Sequence, residues 1–108
     1  MDYVFEKSWN ETVTRISASF GEKLDYAGIL FLIGFQELGQ TDRDFKKDEK
    51  ISLMHIAICT LLEPYGYYSF SGKDVDGWPH WDRIEEIPSL SPSDQELLIR
   101  KAIVNYFK

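Results

Sequence analysis

The sequence predicts an all-α domain: a compact bundle of about four helices, with a short β-hairpin or irregular aromatic loop between the third and last helices. Three observations lead there. Apolar residues recur at steps of three and four along most of the chain, the spacing that lines one face of a helix. Residues that cap helix starts and glycines that end helices punctuate those runs, with Ser8, Asp25 and Ser91 ahead of them and Gly21, Gly39 and Gly66 behind. Finally, 108 residues of which 44% are apolar fill one core and leave no room for a second, so residues 1–108 read as a single helical domain.

Ser8 and Glu11 have capping-box spacing, and Trp9, Val13, Ile16 and Phe20 follow as an apolar stripe, which predicts a first helix over about 9–21. A second helix starts at the cap Asp25 and runs to about Leu38, before Gly39. Its apolar residues, from Tyr26 through Ile29 and Ile33 to Leu38, surround the whole cylinder, so it is predicted to be central. Gly28 and Gly34 each cost about 1 kcal/mol against alanine inside a helix. Close packing against another helix is the expected compensation for both. An all-round apolar helix also makes a homodimer an open alternative to complete coverage within one chain.

Thr41-Asp42-Arg43-Asp44 reads as linker and cap for a third helix over about 45–63. Its stripe is Ile51, Met54, Ile58, Leu61 and Leu62, widened by Leu53, Ile56 and Ala57, and Pro64 with Gly66 ends it. Between Tyr65 and Trp81, aromatic residues favour extended structure while Gly72-Lys73 and Asp76-Gly77 mark turns. A hairpin of about four residues per arm is expected there, then one helical turn over Asp82–Ile87 before Pro88. Ser91 as cap and Pro92 at the first helical position open the last helix, whose stripe is Leu98, Ile99, Ala102, Ile103 and Tyr106.

Composition excludes several functions. The net charge is −6, and residues 63–94 hold seven acids against two bases, so neither nucleic acid nor an anionic membrane is an expected partner. The longest apolar stretch, residues 26–35, is about half of a bilayer crossing. No basic start followed by an apolar run opens the chain, so no secretory signal is expected, and the single cysteine, Cys59, suits a reducing, cytoplasmic setting. Glycine-rich phosphate loops, Gly-x-Ser-x-Gly elbows and His-Glu-x-x-His motifs are absent from the sequence. That makes an enzyme the less favoured reading, and no cofactor is expected apart from a candidate metal.

Two clusters could still carry chemistry. His55, Cys59 and Glu63 stand at i, i+4 and i+8 on one side of the third helix, where an imidazole can lower a thiol's pKa. The alternative reading makes His55 a hydrogen-bonded core residue and Cys59 a small hydrophobe. The denser cluster runs from Lys73 to Asp82. A calcium loop fails there, since Gly77 at its sixth position would put Gly72 first and Arg83 twelfth. Asp74, Asp76 and His80 remain a candidate divalent-metal set.

The leading expectation is a non-catalytic protein-interaction or regulatory module. Tyr65, Tyr67, Tyr68, Trp78 and Trp81 hold five of the nine Trp and Tyr residues, and such side chains dominate interface hot spots. Asp82 belongs to an acidic rim with Asp74, Asp76, Glu85 and Glu86 that would draw a basic protein surface. The alternative is a divalent-metal or small-molecule site, with hydrolysis among its chemistries, on the same loop.

Overall fold

In the computed structural model, residues 3–39, 46–86 and 89–108 are described, and they form four α-helices and one two-stranded hairpin. The helices are α1 (Tyr3–Phe20), α2 (Tyr26–Leu38), α3 (Lys47–Leu62) and α4 (Pro92–Tyr106), and the strands are β1 (Tyr68–Lys73) and β2 (Pro79–Arg83). The fold is therefore helix-rich rather than strictly all-α, because the chain between α3 and α4 forms a paired antiparallel hairpin whose arms are six and five residues long.

Local signals account for most boundaries. Asp25 caps α2 through its carboxylate, which accepts from the Gly28 amide, and Gly39 ends it with a left-handed φ of 75°. Ser91 caps α4 by accepting from the Asp94 amide at 3.2 Å, with Pro92 in the first turn. After α3 the chain tightens into a 3-10 turn over Glu63–Tyr65, and Gly66 at φ 87° closes it.

Two boundaries and the buried face of one helix differ from expectation. The first helix begins at Tyr3 rather than near Trp9, leaving Ser8 inside it. No glycine or proline interrupts residues 3–8, and Phe5, one turn before Trp9, extends the stripe against the core. In the same helix Thr12 is buried and Phe20 is exposed, so the inward face is rotated from the predicted stripe. The expected turn over Asp82–Ile87 does not form at its start, because Asp82 and Arg83 pair with Ser69 and Tyr68 across the sheet. Ile87 and Pro88 lie outside the described residues, as does the expected linker over Thr41–Asp44.

The core has two parts. The larger gathers Trp9, Ile16, Ile29, Ile33, Leu62 and Ile103, among others, from all four helices. The smaller is Leu38, Leu53 and Ile56, with Phe31, Trp78 and Trp81 packed against it. Helix α3 thus buries residues toward both clusters, while Ile51, expected on its stripe, is exposed. Along α2, Ile29, Leu30, Ile33, Gly34 and Leu38 are buried, whereas Phe31, Leu32 and Phe35 keep partial exposure. Among the described residues no helix is long and apolar enough to cross a membrane.

The two interior glycines of α2 have different surroundings. A Cβ at Gly34 would collide with the Leu53 carbonyl oxygen and stand 2.6 Å from its carbonyl carbon, so here α2 and α3 meet backbone to backbone. At Gly28 the nearest atoms are instead Asp25 Oδ1 at 3.1 Å and the Leu24 side chain, in the helix's own cap. Helix contact therefore explains Gly34 but not Gly28.

Gly34→Ala is predicted to lose about 3 kcal/mol of stability, at the upper end of what overpacking costs, because a rigid backbone faces the new methyl group. Gly28→Ala gains up to about 1 kcal/mol of helix propensity and meets only adjustable side chains, so it should change stability by less than that. Urea unfolding of both variants checks the contrast; equal effects would contradict it.

Candidate functional site

The hairpin is assembled around one aspartate and one glutamate. Asp74 sits where β1 turns toward β2: its Oδ1 accepts from the amides of Asp76 at 3.0 Å and Trp78 at 2.9 Å, and its carbonyl accepts from the Gly77 amide. Gly77 holds a left-handed φ of 86°, which closes so tight a turn. The second carboxylate oxygen, Oδ2, is 2.9 Å from His80 Nε2. First His80, then the Trp78 and Asp76 amides, hold the Asp74 carboxyl below its ordinary range.

Glu63 docks the hairpin on the helices. One of its oxygens, Oε2, accepts from the Trp81 indole Nε1 at 2.9 Å and from the Phe70 amide at 3.1 Å. Phe70 and Trp81 are cross-strand partners whose rings meet edge to face at 5.4 Å. Pairing alternates along β2, so buried Pro79 and half-buried Trp81 face the helices while His80 and Asp82 face solvent. A bulge between Phe70 and Gly72 re-aims the end of β1.

Of the residues expected on a contact surface, Trp78 and Trp81 pack on Leu38, Leu53 and Ile56, and Tyr67 and Tyr68 pack on the main core. These four are half-buried, and each keeps part of its surface open. Tyr65 is exposed and accepts from Asn105 Nδ2 at 2.8 Å, and Asp82 is exposed on β2. Exposed apolar surface comes instead from residues that the sequence reading passed over: Phe70, Val75 at the hairpin tip, and Ile84. Strand alternation puts Phe70 on the same face as its partner Trp81 and so hides its exposure, while the tip and the β2 exit carry no periodic signal.

The metal set is brought together only in part. Asp74 and His80 are bonded to each other, and both Asp74 oxygens already have protein partners. Among the described residues no three His, Cys, Asp or Glu side chains are grouped as metal ligands are, so Asp76 does not complete a trio with them.

The α3 cluster also resolves differently from expectation. His55 is exposed rather than in the core, and it stands edge-on to Tyr68 at 6.5 Å. The helix buries residues toward α2 and toward the hairpin, and His55 lies outside both arcs. Cys59 is only 1% exposed, with Sγ 3.6 Å from His55 Nε2, and burial pushes its thiol up to about 11. A thiol kept protonated and shielded is a packing group, not a nucleophile.

Concavities open beside the hairpin and between the helices. One, of about 300 Å³, lies between the hairpin and the helix ends and is lined by Glu37, Thr60, Glu63, Phe70, Lys73, Pro79 and Trp81. Glu37 Oε1 accepts from the Tyr106 hydroxyl at 2.6 Å, tying α2 to α4, and burial followed by this bond pushes the Tyr106 phenol up. Another, about 630 Å³, is lined by Ile58, Leu62, Leu98 and Ile99 together with Tyr26 and Glu96. Glu96 is ion-paired at 2.8 Å with Arg100, whose guanidinium lies over the rings of Trp9 and Tyr26.

Compared with known proteins, the chain matches no family model, no curated protein and no solved structure.

Because the Asp74 carboxyl is depressed, its bonds support the hairpin above the ordinary value of 3.8 and are lost as pH falls through the lower folded value. The amide resonances of Asp76 and Trp78 should therefore titrate together with a midpoint below 3.8. Asp74→Asn should abolish that titration. A midpoint at or above the ordinary value would contradict the hydrogen-bond geometry.

Proposed function

We propose that this chain is a non-catalytic interaction module whose contact surface is formed by the exposed apolar residues of the hairpin, its exit and the 3-10 turn that supports it. One observation carries the reading: Tyr65, Phe70, Val75 and Ile84 are four of the nine large apolar residues left exposed among the described residues, and they fall within twenty positions of one another. Scattered exposed apolar side chains need no explanation, whereas a concentration on one small element supports a binding face. Trp78 and Trp81 then serve as its foundation, anchoring the hairpin to α2 and α3 instead of projecting from it.

The acidic charge of the same segment sets the partner's chemistry. Asp74, Asp76, Asp82, Glu85 and Glu86 are exposed and interleave in sequence with the apolar residues, which favours a protein with a basic surface and speeds its encounter at low salt. A cytoplasmic setting fits the single buried thiol of Cys59.

The test is a binding comparison from the native source. Wild type should retain a protein partner in stoichiometric amount, with retention falling as salt rises. Phe70→Ser and Ile84→Ser should each lose it by tenfold or more, which is about 1.4 kcal/mol. Leu97→Ser, an exposed apolar residue on α4, should retain it. A chain that elutes alone, or equal retention by all three variants, would overturn the proposal.

A further inference from the structure

We infer that the groove between the hairpin and the ends of α2 and α3 is an arginine receptor, taking one arginine side chain of the basic partner. The inference rests on the interaction-module reading and adds the residue type the module selects. Its walls suit a guanidinium in two respects. Phe70 and Trp81 present aromatic surface from neighbouring strands, and a planar cation stacks favourably on such rings. Glu37 and Glu63 supply carboxylates from two different elements, α2 and the 3-10 turn.

Each carboxylate is half committed. Glu63 uses Oε2 for the Trp81 indole and the Phe70 amide, and Glu37 uses Oε1 for the Tyr106 hydroxyl. These bonds fix both side chains in place and leave the second oxygen of each without a hydrogen bond from the described residues. Prepositioned acceptors lose little entropy on binding, and a guanidinium offers five donors in a rigid fork to reach them. Lys73 lines the same groove, yet among the described residues no ion pair joins it to Glu37 or Glu63. Among the described residues, therefore, no cation is ion-paired with either carboxylate. A volume of about 300 Å³ admits one long side chain and not a folded ligand.

The probe is the capped peptide acetyl-Gly-Gly-Arg-Gly-Gly-amide, followed by proton–nitrogen NMR on the Trp81 indole and the Phe70 amide. It is titrated to about 20 mM, well above the millimolar constants that a few anchored atoms support. The expected result is a saturable shift of both signals, at least tenfold weaker with citrulline in place of arginine. Glu37→Gln keeps an acceptor for Tyr106 and should weaken the arginine peptide at least fivefold. Lys73→Ala should tighten it, and Asp82→Asn should change it less than twofold. Citrulline binding as well as arginine, shifts confined to Asp74, Asp76 and Asp82, or no saturable shift would each overturn the assignment. If the groove fails while Phe70→Ser still releases the protein partner, the arginine assignment falls and the interaction module stands. If Phe70→Ser has no effect on partner retention either, both fall.

Discussion

The backbone contact between Gly34 and Leu53 is the constraint on which the remaining structure depends. With no side chain on α2 at this point, α3 approaches until its carbonyl occupies the space a methyl group would need. That proximity places Leu38, Leu53 and Ile56 in one cluster on one side and Ile33, Ala57 and Leu61 in the main core on the other. The glycine's propensity cost of about 1 kcal/mol is small beside the burial of the leucines and isoleucines among them, each worth about 1.5 to 3 kcal/mol. α1 and α4 then cover the main core, and the hairpin covers the smaller cluster.

The hairpin could not stand alone, since a two-stranded ribbon is at best marginally stable in water. Its order comes from three attachments of different kinds. Trp78 and Trp81 bury apolar surface on the seam, Glu63 ties the ring and backbone of opposite strands to the end of α3, and Asp74 closes the turn. The side chains of Val75, Asp82 and Ile84 take no part in these three attachments. One small element thus carries inward anchors together with exposed apolar residues, and the groove is lined by Phe70 and Trp81 where it meets the helices.

What was legible in the sequence was local. Asp25 with Gly39, and Ser91 with Pro92, fix the ends of α2 and α4 through bonds spanning three or four residues, and spacing alone reveals them. Gly34 was legible as a close approach because its cost demanded one, yet the same argument failed at Gly28, which belongs to a cap. Periodicity placed His55 on an apolar stripe, but α3 buries two arcs rather than one, and the wide apolar surface hid the direction in which the histidine points. Aromatic density identified the hairpin as distinctive without telling which rings face inward. The groove was invisible, because Glu37 with Tyr106 and Glu63 with Trp81 join residues 69 and 18 positions apart. Glu63 entered the sequence reading only as a member of the α3 cluster, and Glu37 did not enter it at all. Tertiary packing alone brings such pairs together.

Native-state hydrogen exchange measured against increasing denaturant tests the central dependence most directly, because it orders the elements by the free energy at which each opens. If the α2–α3 seam supports the hairpin, amides around Ile33 and Leu53 exchange only with global unfolding. Those of Phe70 and Trp81 then exchange through a smaller, separate opening that leaves the seam intact. Amides of α2 exchanging at lower free energy than those of the hairpin would contradict the account.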